Sequence, residues 1–219
     1  MKQRLRIGVF AKYPRPGRVK TRLAADLGPG GPRQAASIAR AFIDATLTRM
    51  RRIAARENIT LFADDWPPAP DIVDQGSGDL GQRLQRAFTC LLREASAAII
   101  IGTDSPDLPL GAVDEAADAL CNGSDVAIGP ALDGGYTLIG MTRVRPALFE
   151  GIEWSTSAVL EQTLARCKAE SLHVHLLEPW YDVDDLAALQ RLLSSASQSN
   201  ESILCRMAEK IQDARMSIL

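Results

Sequence analysis

The sequence predicts a layered α/β domain built on a mostly parallel sheet, and three observations carry that expectation. Short apolar runs alternate with stretches of helical periodicity from one end of the chain to the other. Ile99, Ile100 and Ile101 are consecutive, as in a strand covered on both faces rather than a half-exposed, alternating one. Two strand-like runs, 125–129 and 136–141, are joined by a link too short for a crossover helix, which inserts an antiparallel strand into the sheet.

Residues 5–11 read as the first strand, followed by a Pro/Gly/basic loop to Lys20. From 32 to 57, Ile38, Phe42, Ala45, Met50 and Ile53 recur at near-helical spacing beneath an Arg-rich polar face. Residues 58–63 read as a second strand, 66–70 as a Pro-rich loop, 80–95 as a helix and 97–102 as the buried strand. Residues 110–121 are helical, with Gly123 as the stop. After the antiparallel pair come a helix over 157–170, a strand over 172–177 and a helix over 186–193. The polar, Ser-rich stretch 194–202 reads as a linker to a final helix. No internal repeat is present. The expectation is one domain over 1–193, with 194–219 forming a linker and a helix packed on it.

With 219 residues, 46% hydrophobic and 24% charged, the chain is globular material, which excludes disordered, collagen-like and fibrous readings. A formal charge of −2 excludes a generally basic protein, yet residues 1–60 hold 14 of the 25 Lys and Arg and 3 of the 27 Asp and Glu. Apart from chance, a basic head on an acidic body disfavours nucleic-acid binding and suits a phosphate ligand held between fixed cations and a carboxylate-bound metal. Cys90, Cys121, Cys167 and Cys205 form no CxxC pair, so buried free thiols are expected rather than a zinc site. No apolar run reaches membrane-spanning length, and residues 1–7 are charged where a signal peptide would be apolar. The expectation is a soluble, cytoplasmic protein.

The segment from Phe10 to Leu23 crowds Lys12, Arg15, Arg18, Lys20 and Arg22 into eleven residues. Like charges about 4 Å apart repel by roughly 1 kcal/mol in water and about 4 kcal/mol at an effective dielectric near 20, so the cluster suits arriving anionic oxygens such as a diphosphate. The loop leaves the carboxyl end of a strand, and the helix start after it adds free N–H groups. Pro14 and Pro16 restrict the loop, while Gly17 permits close backbone approach. Gly17 to Thr21 lacks the first glycine of a Walker loop and no G-x-G-x-x-G occurs, which removes a P-loop kinase and a Rossmann dehydrogenase. A solvated basic loop is the bland alternative.

Asp104 follows the buried strand directly and faces the same crevice, either as a helix cap with Ser105 or as a metal ligand. Asp182, Asp184 and Asp185 precede the helix at 186. In an extended segment Asp182 and Asp184 share a side, and with Asp104 they can offer oxygen ligands to Mg²⁺ or Mn²⁺; capping is again the alternative. Gln75 to Leu84 is a glycine-rich loop opening a helix. Its Gln75, Gly76, Asp79 and Arg83 fit around a base or ribose, or simply form a loop and a cap. Asp133 precedes Gly134 and Gly135, as in a turn. His173 and His175 share a strand face and lack a third ligand, so they read as ordinary strand histidines.

Five blocks, FAKYPRPGRVKTRL, QGSGDLGQRL, IIIGTDSPDLP, IGPALDGGYTLIGM and the pair GIEWST with WYDVDDL, resemble a bacterial family of uncharacterised glycosyltransferase-like proteins with the GT-A, or nucleotide-diphospho-sugar transferase, fold. More distantly, KTRL and the DGG segment look like phospholactate and molybdopterin guanylyltransferases. The resemblance implies a three-layer α/β/α sandwich that binds a nucleotide or nucleotide-sugar and an acceptor. It places Lys12, Lys20 and Arg22 at the phosphates, where Gly17 and Arg18 of the same loop are further candidates, and Asp104 on the metal with Asp184 completing it and Asp182 as a further candidate ligand. Asp133, Gly134, Gly135, Tyr136, Trp154, Ser155 and Thr156 fall at the substrate. Glycosyltransferases usually show Asp-x-Asp; here Asp104-Ser-Pro-Asp107 leaves the second ligand open among Asp107, Asp182 and Asp184. Asp104, Lys20 and Asp133 are the catalytic candidates. The expected reaction is metal-dependent glycosyl transfer from a nucleoside-diphosphate sugar. Nucleotidyl transfer with pyrophosphate release is the second reading, and a non-catalytic nucleotide sensor the third.

Overall fold

The computed structural model describes residues 5–216. Residues 1–4, part of the charged start, and 217–219, part of the expected C-terminal helix, lie outside the described residues. The strands are β1 (Leu5–Lys12), β2 (Ile59–Asp64), β3 (Ile72–Asp74), β4 (Ala97–Gly102), β5 (Val126–Pro130), β6 (Tyr136–Met141) and β7 (Val174–Leu176). They form one seven-stranded sheet in the order β3-β2-β1-β4-β6-β5-β7. Neighbours pair in parallel except β6, which runs antiparallel to both β4 and β5. The short link at 131–135 thus does what its length dictates.

The helices are α1 (Thr21–Asp26), α2 (Gly31–Met50), α3 (Leu80–Leu91), α4 (Leu110–Cys121), α5 (Val159–Ala169), α6 (Leu186–Gln198) and α7 (Ser202–Met216). Successive side chains of a strand face opposite ways, and β4 shows why it is apolar throughout. Ala97, Ile99 and Ile101 join the core with Ile43 and Met50 of α2 and Val113, Ala116 and Leu120 of α4. Ala98 and Ile100 join Leu84, Phe88 and Leu91 of α3 and Cys167 of α5. The result is the expected three-layer α/β/α sandwich. A further cluster, with Leu23, Phe42, Leu189, Leu192, Met207 and Ile211, packs α1, α6 and α7 against α2. Among the described residues no helix is long and apolar enough to cross a membrane.

Four expectations shift. The helix foreseen over 32–57 ends at Met50, because the N–H groups of Ile53 and Ala54 turn back onto Met50 O and direct the chain to the start of β2. The edge strand β3 is three residues long, too short to leave a periodic signal. The stretch 194–202 is no long linker: α6 continues to Gln198, since Leu193 and Ala196 extend its buried stripe past the serines. Of the cysteines, Cys167 is buried whereas Cys90 and Cys121 are exposed, near the ends of amphipathic helices.

Arg49 ties the last helix to the sheet. Its side chain is 3% exposed, with Nε and Nη2 donating to Glu201 at 2.7 and 3.1 Å and Nη1 donating to Pro106 O at 2.6 Å. Breaking a buried pair from one side strands the other charge. Arg49→Ala should therefore lower unfolding stability by about 3 kcal/mol in urea denaturation; a change below about 0.5 kcal/mol, the range of an ordinary surface substitution, would show that the pair contributes nothing. Burial pushes the Cys167 thiol up to about 11. A thiol reagent at pH 8 should thus label Cys90 and Cys121 in the native protein and Cys167 only on unfolding; equal labelling rates would contradict the packing.

Candidate functional site

The strand order reverses between β1 and β4, with β2 on one side of β1 and β4 on the other. Open α/β sheets leave a crevice at the carboxyl ends of the strands at such a point. A cleft of about 400 Å³ opens there, lined by Phe10, Lys12, Arg18, Lys20, Gln75, Asp104 and Asp184 among others. Its walls are the basic loop after β1, the glycine-rich loop before α3, the loop after β4 and the segment before α6.

Lys20 is the centre of this arrangement. Its backbone is left-handed, φ 47° and ψ 48°, a costly conformation for a residue with a side chain. Its ammonium lies 2.6 Å from Asp104 Oδ1 and donates to Asp184 Oδ1 at 3.0 Å and to Val183 O at 2.7 Å. Burial alone would lower its pKa, but the Asp104 and Asp184 carboxylates outweigh burial and hold it above the usual lysine value.

The Asp104 loop and the segment before α6 are zipped together residue by residue. Val183 N donates to Asp104 O at 2.8 Å, and Ser105 Oγ donates to Asp182 Oδ1 at 2.6 Å. Buried Asp107 accepts from Tyr181 OH at 2.6 Å and from Trp180 Nε1 at 3.2 Å. Tyr181 and Val183 are buried while Asp182 and Asp184 alternate away from them, the extended geometry foreseen for this stretch. Burial pushes the Asp182 carboxyl up to about 6; the Ser105 hydrogen bond opposes this, and the charges of Asp104, Asp133 and Asp184 add to it. Four carboxylates therefore share one region of negative potential.

The expected site residues separate clearly. Lys12 and Arg18 are exposed and line the cleft, and with Gly17 they also line a smaller hollow of about 260 Å³ beside it. Arg22 is exposed on α1, which is only six residues long. Gln75 is buried at the cleft wall, both N–H groups of its amide donating at 3.0 Å, to Ala11 O and Phe62 O. Arg86, overlooked in the sequence, donates to Gln75 O and Ser77 O and backs Gly76. Asp79 caps α3 in a capping box with Gln82, and Arg83 is held by Asp64 at 2.6 Å and by Gly78 O. Both are thus engaged in holding the loop.

On the far side of the segment before α6, Asp133 Oδ1 accepts from Gly135 N at 2.9 Å. Gly134, at φ +93°, lies so close to Ser157 that a Cβ would sit 2.2 Å from its carbonyl oxygen. Leu132 N donates to Trp180 O, which ties this turn to the same segment. Tyr136 and Trp154 pack edge to face, with centroids 6.5 Å apart, against the α3–α5 core. Ser155 is exposed in a left-handed conformation, and the hydroxyl of exposed Thr156 donates to Glu153 O. His175 meets Glu115 at 2.8 Å at the distant sheet edge, away from the cleft.

Carboxylate oxygens are hard donors of the kind Mg²⁺ and Mn²⁺ take, and Asp104, Asp182 and Asp184 fit such an ion in chemistry and charge. As folded, the Lys20 ammonium meets two of them. Among the described residues no three acidic, histidine or cysteine side chains are grouped so as to hold a metal.

Residues 39–156 match the family described as "Uncharacterized protein conserved in bacteria (DUF2064)". The chain belongs to the DUF2064 family. A crystal structure of a proposed nucleotide-diphospho-sugar transferase from Desulfovibrio desulfuricans G20 is 30% identical over 97% of this DUF2064 chain and 98% of its own, with a TM-score of 0.76. A cytidylyltransferase from Leptospira borgpetersenii is 13% identical over 96% and 94%, with a TM-score of 0.57. A Mycobacterium tuberculosis H37Rv protein solved with manganese is 16% identical over 88% and 99%, with a TM-score of 0.51. No curated protein matches the chain. The fold of this DUF2064 protein is that of the nucleotide-diphospho-sugar transferases, as its motifs led one to expect.

The role of Asp107 is the clearest departure from its sequence reading as a possible metal ligand: both its oxygens are occupied as a brace. Asp107→Ala leaves two aromatic donors unmatched and should cost about 2 kcal/mol in denaturant unfolding. A variant as stable as the parent would mean that the two loops are held together by other contacts.

Proposed function

We propose that this protein is a metal-dependent glycosyltransferase that uses a nucleoside-diphosphate sugar. The observation that carries the reading is the convergence of exposed cations, Lys12 and Arg18, with the Lys20–Asp104–Asp184 group on one cleft at the strand-order reversal. Support for a nucleotide-using transferase comes from the 30% identical structure, which covers nearly all of both chains.

In this reading the nucleoside lies against Phe10, Leu80 and Gln75, where the fixed amide of Gln75 leaves its carbonyl oxygen as an acceptor. Lys12 and Arg18 bind the diphosphate. Asp104, Asp184 and Asp182 would hold the divalent ion, which supplies positive charge against the departing diphosphate. As the sugar–phosphate bond breaks, Lys12 and Arg18 neutralise charge accumulating on the leaving group, the electrostatic contribution that is usually the largest in such reactions. On the acceptor side, Asp133 has one oxygen engaged by Gly135 N, and its carboxylate would take the proton of an attacking hydroxyl. The chain is read as one nucleotide-binding domain over 1–193 with its C-terminal part packed on it, and its partners as a nucleotide or nucleotide-sugar and an acceptor other than nucleic acid.

Nucleotidyl transfer is the second reading, favoured by the architecture shared with the cytidylyltransferase. The products separate the two. With Mg²⁺ or Mn²⁺, a panel of sugar nucleotides should release free nucleoside diphosphate, whereas pyrophosphate release from a nucleoside triphosphate and a phosphorylated substrate would establish the second. Binding without either product would leave a sensor. Asp104→Ala should reduce turnover by at least about 100-fold while circular dichroism is unchanged; full activity would remove Asp104 from the site.

A further inference from the structure

The candidate site already contains a cation, and it is part of the chain. Lys20 Nζ has three N–H donors and three acceptors, Asp104 Oδ1, Asp184 Oδ1 and Val183 O, all within 3.0 Å. Its side chain is 5% exposed, while those of its partners are 57% and 42% exposed. The ammonium therefore lies beneath the carboxylates, which close over it from the cleft side. Its backbone is left-handed, and the centroid of the aromatic ring of Phe42 lies 5.6 Å from Nζ.

We propose that Lys20 is a built-in competitor for the divalent cation: it keeps Asp104 and Asp184 closed to metal until phosphate oxygens draw its ammonium away, so that metal and nucleotide enter together. The inference rests on the metal-dependent reading above and adds an order of binding to it.

Ammonium and metal exclude one another at these carboxylates. A divalent ion bound through Asp104 and Asp184 would sit within a few ångströms of the ammonium, and like charges at such a distance in a half-buried site repel by several kcal/mol for each pair of unit charges. Both cations also need the same two oxygens. Lys20 cannot simply withdraw, because an ammonium deprived of all three acceptors in a buried place is costly. Phosphate solves this by offering replacement acceptors on the cleft side, which Lys12 and Arg18 also line.

Two measurements test the proposal. In calorimetry with Mn²⁺ alone, Lys20→Met, whose unbranched stem keeps the packing on Phe42, should bind the metal about tenfold or more tightly than the parent. In the parent protein, the protected Lys20 ammonium resonance should keep its position with Mg²⁺ alone at concentrations that saturate Lys20→Met, and leave that position when inorganic pyrophosphate is added with Mg²⁺. Should Lys20→Met fail to fold, the resonance experiment decides by itself, using Mg²⁺ at millimolar concentration. Equal Mn²⁺ affinities, or a Lys20 resonance unmoved by Mg²⁺ and pyrophosphate together, would overturn the competition while leaving a metal-dependent enzyme standing. Absence of Mn²⁺ binding by either protein, with and without pyrophosphate, would overturn the metal reading and this inference with it.

Discussion

One ammonium group joins segments that the chain keeps far apart. Lys20 comes from the loop after β1, Asp104 from the loop after β4 and Asp184 from the approach to α6, and the three meet within 3.0 Å. The sheet makes this possible by placing β1 and β4 side by side. The hydrogen bonds from Val183 to Asp104 and from Ser105 to Asp182 then hold the two acidic segments in register. Without Lys20 the same geometry would concentrate carboxylates with nothing to balance them, so the charge and the fold depend on one another.

The outer helices serve the same region from behind. Arg49 on α2 reaches both Glu201, just before α7, and the carbonyl of Pro106 in the Asp104 loop. Asp26 at the end of α1 accepts from Leu186 N, where α6 begins. The C-terminal helices thus brace the loops of the cleft as well as covering an apolar face of α2. A chain with so many loop residues at the cleft needs such ties, since loops otherwise move more freely than the scaffold that carries them.

Much of this was legible in the sequence because it follows from local chemistry. Three consecutive isoleucines announced a doubly covered strand, and a link of a few residues with two glycines could only be a hairpin-like return. The basic loop and the aspartates were recognisable as chemistry, and their placement after strands hinted at one crevice. What could not be read was partnership. Nothing local says that Lys20 is buried and turned toward acids rather than presented to solvent like Lys12, nor that Asp107 is a brace while Asp104, three residues earlier, faces the cleft paired with Lys20. Arg49 and Arg86 went unnoticed because their partners lie on other elements, at distances in sequence that no periodicity encodes. The end of α2 and the length of α6 were decided by packing against distant elements, which overrode the local polar pattern in both cases.

The central claim is that cations from the first loop and aspartates from two later segments form one binding site for a metal and a diphosphate. Crystals grown with Mn²⁺ and a nucleoside diphosphate test it most directly through the anomalous signal of manganese. The account predicts a manganese peak against Asp104 and Asp184, phosphates beside Lys12 and Arg18, and Lys20 Nζ turned from the carboxylates to the phosphates. A nucleotide bound elsewhere, with the Lys20–Asp104 pair intact and no manganese beside it, would contradict it.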